Sequence, residues 1–385
     1  MSKTIYRFLF GTFAVSFLFA PGQSRAASAP LPKSSIEMLK HLKLPTSILS
    51  DVDKELEVPK EWVEKARKEG KVRFQSTPST PEETKWLLGP FKERYPFIDS
   101  EYAGTSQEGR TVRTLVSYRA GRVLSDVLAS VGGYIHAYRE ARALESLRDI
   151  PNLKNVPEVA KDPEGFYVGM NVHYWCVAYN TKLVKKEELP KKWEDFLANP
   201  RWRGGNLALG NRPQLWALNL WKTKGEKWTK DYMTRLITEV KPQIRKEGLN
   251  ALVDLVAAGE FHAFFPALDA RAQQKVEMGA PVGFTCPEPA PVAPEDLMIL
   301  RGAANPYAAK MLVNWLLSKE GQIAYYAAKF YVPVHKDLQR RELVLFPDDI
   351  LGKQISYRDP NLERDVNPQL IDFWNNLVMR GGQAR

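Results

Sequence analysis

Hydrophobic positions along the chain change period several times, and each change marks an element. Apolar and charged residues over 60–69 are spaced as in a helix that stops at Gly70, and 72–75 then alternates as a strand. A hydroxyl-rich loop, STPST, leads to a second helix opening at Pro81. Proline suits a first helical turn, Thr80 can cap it, and Glu82 and Glu83 suit the dipole there. The unit repeats with a strand near 100–103, the loop GTSQEG, a helix over 110–120 and a short buried strand in SDVLAS.

Residues 166–184 read as one long extended run rich in aromatic and β-branched side chains. Beyond it the pattern predicts helices at 190–197, 213–223, 226–240 and 248–258, and strands at 206–209, 261–265 and 282–285. Alternating strands and helices predict α/β halves with largely parallel interiors. Residues 31–59 form a polar, proline-punctuated lead-in with one helix near 34–42 and no chemical signal. The chain has 385 residues, too many for one ordinary core and comfortable for two.

The first residues add a destination. Lys3 and Arg7 precede about 13 apolar residues and then small residues, the layout of a signal peptide over 1–26 cleaved after Ala26 or Ala29. The apolar run is shorter than the roughly 18–20 residues that span a bilayer. An exported, periplasmic protein without a membrane anchor is expected. Net charge is +10; removing 1–26 takes Lys3, Arg7 and Arg25 and no acid, leaving +7. No basic stripe with interleaved aromatics argues for nucleic acid, so the charge points to an anionic small ligand or to plain solvated surface. Two cysteines, Cys176 and Cys286, and five scattered histidines lack metal-ligand spacing. Neither a metal nor a cofactor is expected.

Several ordered segments carry a family resemblance. YNTKLV at Tyr179, followed by ELPKKWEDFLANPRWRGGNLAL, AAGEFHAFF and finally the LLSKEGQ junction at 316–322, resembles the ferric-iron-like solute-binding proteins of ABC transporters. YRAGRVLSDVLAS matches an earlier family segment, and the resemblance covers roughly 71–338. It implies a two-lobe α/β periplasmic binding protein fold, type II, with a ligand cleft between lobes joined by extended hinge strands. Lobe one would comprise 60–170 with 288–325, and lobe two 171–287 with 326–385, after a lead-in over 27–59. The resemblance places Cys176 and Cys286 on the two crossing strands. Two separately buried thiols and one disulfide both remain open there.

Iron-binding relatives carry adjacent tyrosines after the GE dipeptide, and the corresponding run here is read as Phe264, Phe265, Pro266, which offers no phenolate. An organic ligand is therefore expected over ferric iron. Of the two phenylalanines one belongs to the strand core, and Phe265 is the candidate for the cleft wall. Likewise one of Tyr174 and Trp175 on the crossing strand should face the cleft, with Tyr174 the candidate.

The loop side chains suggest where an anion would sit. Ser76, Thr77, Ser79 and Thr80 crowd a helix N-terminus, more hydroxyls than a cap requires. Thr105, Ser106 and Arg110 repeat that arrangement in GTSQEGR, and Asn211, Arg212 and Trp216 in GNRPQLW. Asp269 follows the strand in GEFHAFF and could receive an amine or hydroxyl. With no GxSxG, HExxH or phosphate loop in the chain, the expected function is a monomeric receptor that presents a small, anionic organic ligand to an ABC permease. An exported cleft enzyme and a ligand sensor for a membrane kinase or chemoreceptor are the alternatives.

Overall fold

The structure, a computed structural model, describes residues 30–383; the expected signal peptide lies outside them. No helix among the described residues is long and apolar enough to cross a membrane.

The strands are β1 (Lys71–Ser76), β2 (Asp99–Gly104), β3 (Val127–Ala129), β4 (Val168–Asn180), β5 (Leu207–Gly210), β6 (Gln243–Arg245), β7 (Ala263–Leu268), β8 (Val282–Thr285), β9 (Ala290–Ile299), β10 (Val332–Pro333) and β11 (Ile355–Tyr357). Their order is β2-β1-β3-β9-β4-β7-β5-β6. β1 pairs in parallel with β2 and β3, and β5 with β6 and β7, as strand–helix alternation predicts. β4 joins the two groups: Val168–Tyr174 pairs antiparallel with β9, and the remainder with β7 and β8. Twelve of its 13 residues are buried, all but Trp175, which explains the near-continuous apolar run read in the sequence. The result is a two-lobe α/β fold, with β1–β3 in one lobe, β5–β8 in the other, and β4 and β9 crossing between them.

β7 corrects one sequence expectation. It extends to Leu268, past Pro266, instead of ending near 265. Its pairing with β4 is irregular between Cys176 and Ala178, opposite that proline, where a missing N–H does least harm. Phe264 and Phe265 therefore lie within the strand, and Asp269 is the residue that leaves it. The predicted helix over 190–197 contracts to Asp195–Ala198, and the C-terminal helix Pro360–Gln383 was not foreseen; Pro368 within it reads in sequence as a breaker.

The LLSKEGQ junction locks lobe one. Ser318 caps the helix Lys319–Lys329 by accepting the Gly321 N–H at 3.2 Å. Glu320, fully buried, accepts from Arg94 Nε at 2.5 Å, Ser35 Oγ at 2.7 Å and Trp315 Nε1 at 2.8 Å. Ser35 belongs to the lead-in helix Lys33–His41, so the segment without chemistry is a strap fastened to the core. Gln322 donates to the Met170 carbonyl at 2.6 Å and so ties this helix to β4. Gly321 is required by space, because a Cβ there would lie 2.1 Å from the Trp315 carbonyl oxygen and 2.7 Å from Leu316 Cα.

Cys176 and Cys286 form a disulfide, with Cα atoms 5.0 Å apart and a sequence separation of 110. It links β4 to the segment between β8 and β9, beside both crossings. Mass spectrometry of denatured, unreduced protein should detect no alkylatable thiol. Reduction should lower stability by up to about 4–5 kcal/mol on the chain-entropy estimate, read by urea denaturation with and without reductant. Gly321→Ala should cost about 1–3 kcal/mol or prevent folding; an unchanged urea midpoint would contradict the close approach.

Candidate functional site

Strand ends from both lobes deliver polar side chains to one face of the crossing strands. Asn171, His173 and Trp175 alternate onto the same face of β4, and Asn171 sits opposite Glu295 of β9. From lobe one, Ser76 at the end of β1 and Ser130 just after β3 reach this face, their hydroxyls 3.3 Å apart. Ser130 bonds Glu295, whose other oxygen accepts from Asn171 Nδ2 at 2.7 Å. Ser130 holds a left-handed backbone, φ 63°, a conformation that non-glycine residues adopt mainly under local constraint. From lobe two, Asp269 arrives at the end of β7. His173 lies between the carboxylates, Nε2 3.6 Å from Glu295 and Nδ1 4.0 Å from Asp269.

Aromatic rings close the cluster. Tyr331 packs edge-on against His173 with centroids 4.3 Å apart, and Tyr325 stacks on Tyr331 at 5.4 Å. Tyr102 donates to the Thr77 carbonyl at 2.6 Å, and the buried Thr77 hydroxyl lies beside Tyr331. Burial raises the phenol of Tyr102 to about 12. Burial likewise pushes the Asp269 carboxyl up to about 6, although His173 and the N–H groups of Ala270 and Tyr174 pull it down. Three buried atoms on the crossing strands and at the end of β7 make no hydrogen bond, Asn171 Oδ1, His173 Nδ1 and Asp269 Oδ2, and the Thr77 hydroxyl at the border is a fourth. Buried polar groups are nearly always paired, so three orphans together mark a binding site rather than a finished core.

The sequence candidates divide. Ser76 and Asp269 enter the cluster, and Thr77 borders it. Thr80 and Glu83 form a reciprocal cap, and Ser79 donates to Glu83 at 3.2 Å, so Ser79 serves the helix end. Thr105 bonds within the loop pair, accepting from Gln75 at 3.3 Å, and Ser106 accepts the Gly109 N–H at 3.2 Å. Arg110 staples the loops by donating to the carbonyls of Ser130 at 2.7 Å and Thr105 at 3.0 Å. Asn211 accepts from Trp374 at 2.6 Å, and Arg212 is exposed. Trp216 and Phe265, expected on the wall, are fully buried against Trp193 in the lobe-two core. Tyr174 is buried near Tyr357, and alternation gives the cluster face to Trp175 instead. Sequence reasoning missed Asn171, His173, Ser130, Glu295 and Tyr331. One signal was available: the acid pair Glu295–Asp296 inside an otherwise apolar strand.

Asp296 points the other way. It accepts the N–H groups of Val131 and Gly132 at 3.0 and 3.1 Å beside a cavity of about 390 Å³ walled by Arg358, Lys222 and Arg139. Those cations are paired with Glu363, Asp359 and Asp162 respectively. Glu55, His335 and Asp337 form a group of metal-type side chains among the described residues. Lys319 lies 3.5 Å from Glu55, and His335 Nδ1 accepts the Asp337 N–H at 3.1 Å, so these groups are committed to one another.

Two lobes crossed by β4 and β9, with polar strand ends meeting at the crossing, define a solute-binding architecture. A family model described as bacterial extracellular solute-binding protein matches residues 132–349, more than half of the chain, and the chain belongs to that family. Similar solved structures include a putative extracellular solute-binding protein from Bordetella parapertussis, with TM-score 0.66 and 18% identity, covering 80% of this chain and 99% of that one. Iron-bound HitA from Pseudomonas aeruginosa gives TM-score 0.64 at 18% identity, with the same coverages. AfuA from Actinobacillus pleuropneumoniae, bound to fructose-6-phosphate, gives 0.63 at 20%, again covering 80% and 99%. No curated protein sequence matches the chain significantly.

The raised carboxyl of Asp269 fixes a sign for stability against pH. Below about pH 4 it is protonated in both states; between there and about 6 only the unfolded chain has lost the proton. Stability attributable to this group therefore falls as pH rises through that window, by about 3 kcal/mol for two pK units. Asp269→Asn should stabilise the protein at pH 7.5, with the difference vanishing at about pH 3, below the unfolded pKa. Urea midpoints of both proteins across that range test this; a pH-independent difference would refute it.

Proposed function

We propose that the protein is a periplasmic receptor that captures a small organic solute where the strand ends of both lobes meet the crossing strands, and delivers it to the membrane subunits of an ABC permease. The observation that carries this reading is the buried, incompletely paired cluster of Asn171, His173 and Asp269, assembled from both lobes. Its role is binding without chemistry: membership of an extracellular solute-binding family supports it. The residue leaving β7 is Asp269, followed by Ala270, and the absence of a tyrosine pair there supports an organic solute over ferric iron. The anion expected from the loop hydroxyls finds most of those hydroxyls and Arg110 engaged by the protein itself. Arg212 is exposed and Arg271, beside Tyr331, donates to the neutral Gln274 amide, so these two guanidinium groups are the cations left for an acidic group of the solute.

Closure follows from the layout. Contacts made by one solute to Thr77 of lobe one and Asp269 of lobe two stabilise the closed form over the open one. A thermal-shift screen of small metabolites should find a solute that stabilises the protein by about 2.7 kcal/mol at 100 times its dissociation constant. Small-angle scattering with that solute should show a contracted particle. A broad screen in which nothing stabilises the protein would overturn the receptor reading.

A further inference from the structure

The charge count at the crossing is unbalanced. Glu295 and Asp269 are buried carboxylates, and among the described residues neither has a lysine or arginine nitrogen within 4.0 Å; the imidazole of His173 serves both. Lys329 is held by Glu83 and the Pro78 carbonyl, both at 2.7 Å, whereas Arg271 donates to the neutral Gln274 amide and forms no ion pair with either carboxylate. Contrast Glu320, equally buried, whose two oxygens are matched by a guanidinium, an indole and a hydroxyl. A buried carboxylate without a cation is expensive unless something else supplies the charge.

The unpartnered atoms have a matching chemistry. Asp269 Oδ2, Asn171 Oδ1 and His173 Nδ1 are all more than nine-tenths buried, and in the tautomer whose ring proton sits on Nε2, the nitrogen nearer Glu295, Nδ1 accepts like the two oxygens. Three acceptors call for three donors, and a primary ammonium has three N–H groups and no acceptor. The surrounding Tyr331 and half-buried Trp175 present ring surfaces, which attract cations. A phosphate or carboxylate in the same place would meet like charge, and a hydroxyl would leave the carboxylates uncompensated.

We infer that the solute carries a protonated primary amine, and that this ammonium seats between Glu295 and Asp269 with His173 and Asn171 completing its hydrogen bonds. The inference rests on the receptor reading above and names the chemical class of its solute. Because Glu295 stands on β9 with lobe-one Ser130 and Asp269 starts lobe two's helix Asp269–Glu277, one ammonium draws both lobes onto the crossing.

The test pairs amines with their hydroxyl counterparts: ethanolamine, glycine and glucosamine against ethylene glycol, glycolate and glucose, together with methylammonium chloride against sodium chloride at equal ionic strength. Melting temperature is read for the wild type, Glu295→Gln and Asp269→Asn, and calorimetry follows for any amine that shifts it. The expected result is stabilisation by amines alone, with affinity weakened roughly tenfold or more in each variant. Each variant's own melting curve shows that it is folded, and either variant suffices. Hydroxyl counterparts that bind as well as amines, or amine binding unchanged in both variants, would overturn the inference, as would no shift with any amine, methylammonium included. A tight solute from the broad metabolite screen that lacks a cation would overturn it while leaving the receptor reading intact.

Discussion

The antiparallel pairing of β4 with β9 is the constraint on which the rest depends. One strand of 13 residues cannot belong to two sheets unless it is buried along nearly its whole length, and that burial demands an apolar sequence on both faces. Polar residues at the crossing are therefore exceptions with a reason. Asn171, His173 and Glu295 sit there because β1, β3 and β7 all end there, bringing hydroxyls and a carboxylate from either lobe. The disulfide from Cys176 lies beside the same crossing and ties β4 to the segment between β8 and β9.

Two buried acids show how differently the fold treats structure and site. Glu320 has a complete set of donors and fastens the lead-in strap and the helix Lys319–Lys329 into lobe one. Asp269 accepts the Ala270 N–H at 2.8 Å, leaves Oδ2 without a partner, and has a carboxyl raised by burial. Leaving such a group uncompensated destabilises the empty protein, and binding recovers that free energy when a ligand supplies the missing charge. The basic surplus of the chain does not contradict an acidic floor: net charge describes the surface as a whole, whereas recognition depends on the few groups desolvated at the crossing.

Local pattern carried much of the architecture. The long run over 166–184, the helix start at Thr80–Pro81 and the parallel strand–helix units were legible because period, caps and turn residues act within a few positions of one another. The order of family-like segments extended this to two lobes and placed Cys176 on its crossing strand, whereas Cys286 falls between β8 and β9 and not on a crossing strand. β7 was misjudged because Pro266 reads as a terminator, and only its partner strand shows that the register skips there. Trp216 and Phe265 looked like wall residues because aromatic side chains suit walls and cores equally, and only the packing with Trp193 decides between them.

The sequence by itself determined the α/β class, the two-lobe plan, the crossing strand and the candidacy of Ser76, Thr77 and Asp269. What only the tertiary structure decided is which polar groups are left over. Whether a hydroxyl or arginine is free depends on partners far away in the chain: Ser76 is claimed by Ser130 and Tyr325, Arg110 by the Ser130 carbonyl, and Asn211 by Trp374. The same is true of the carboxylates, since Glu295 and Asp269 lie 26 residues apart and become one site only because β4 carries His173 between them. Hydrogen bonds and ion pairs are satisfied in space, not along the chain, so the list of unsatisfied groups exists only once the chain is folded.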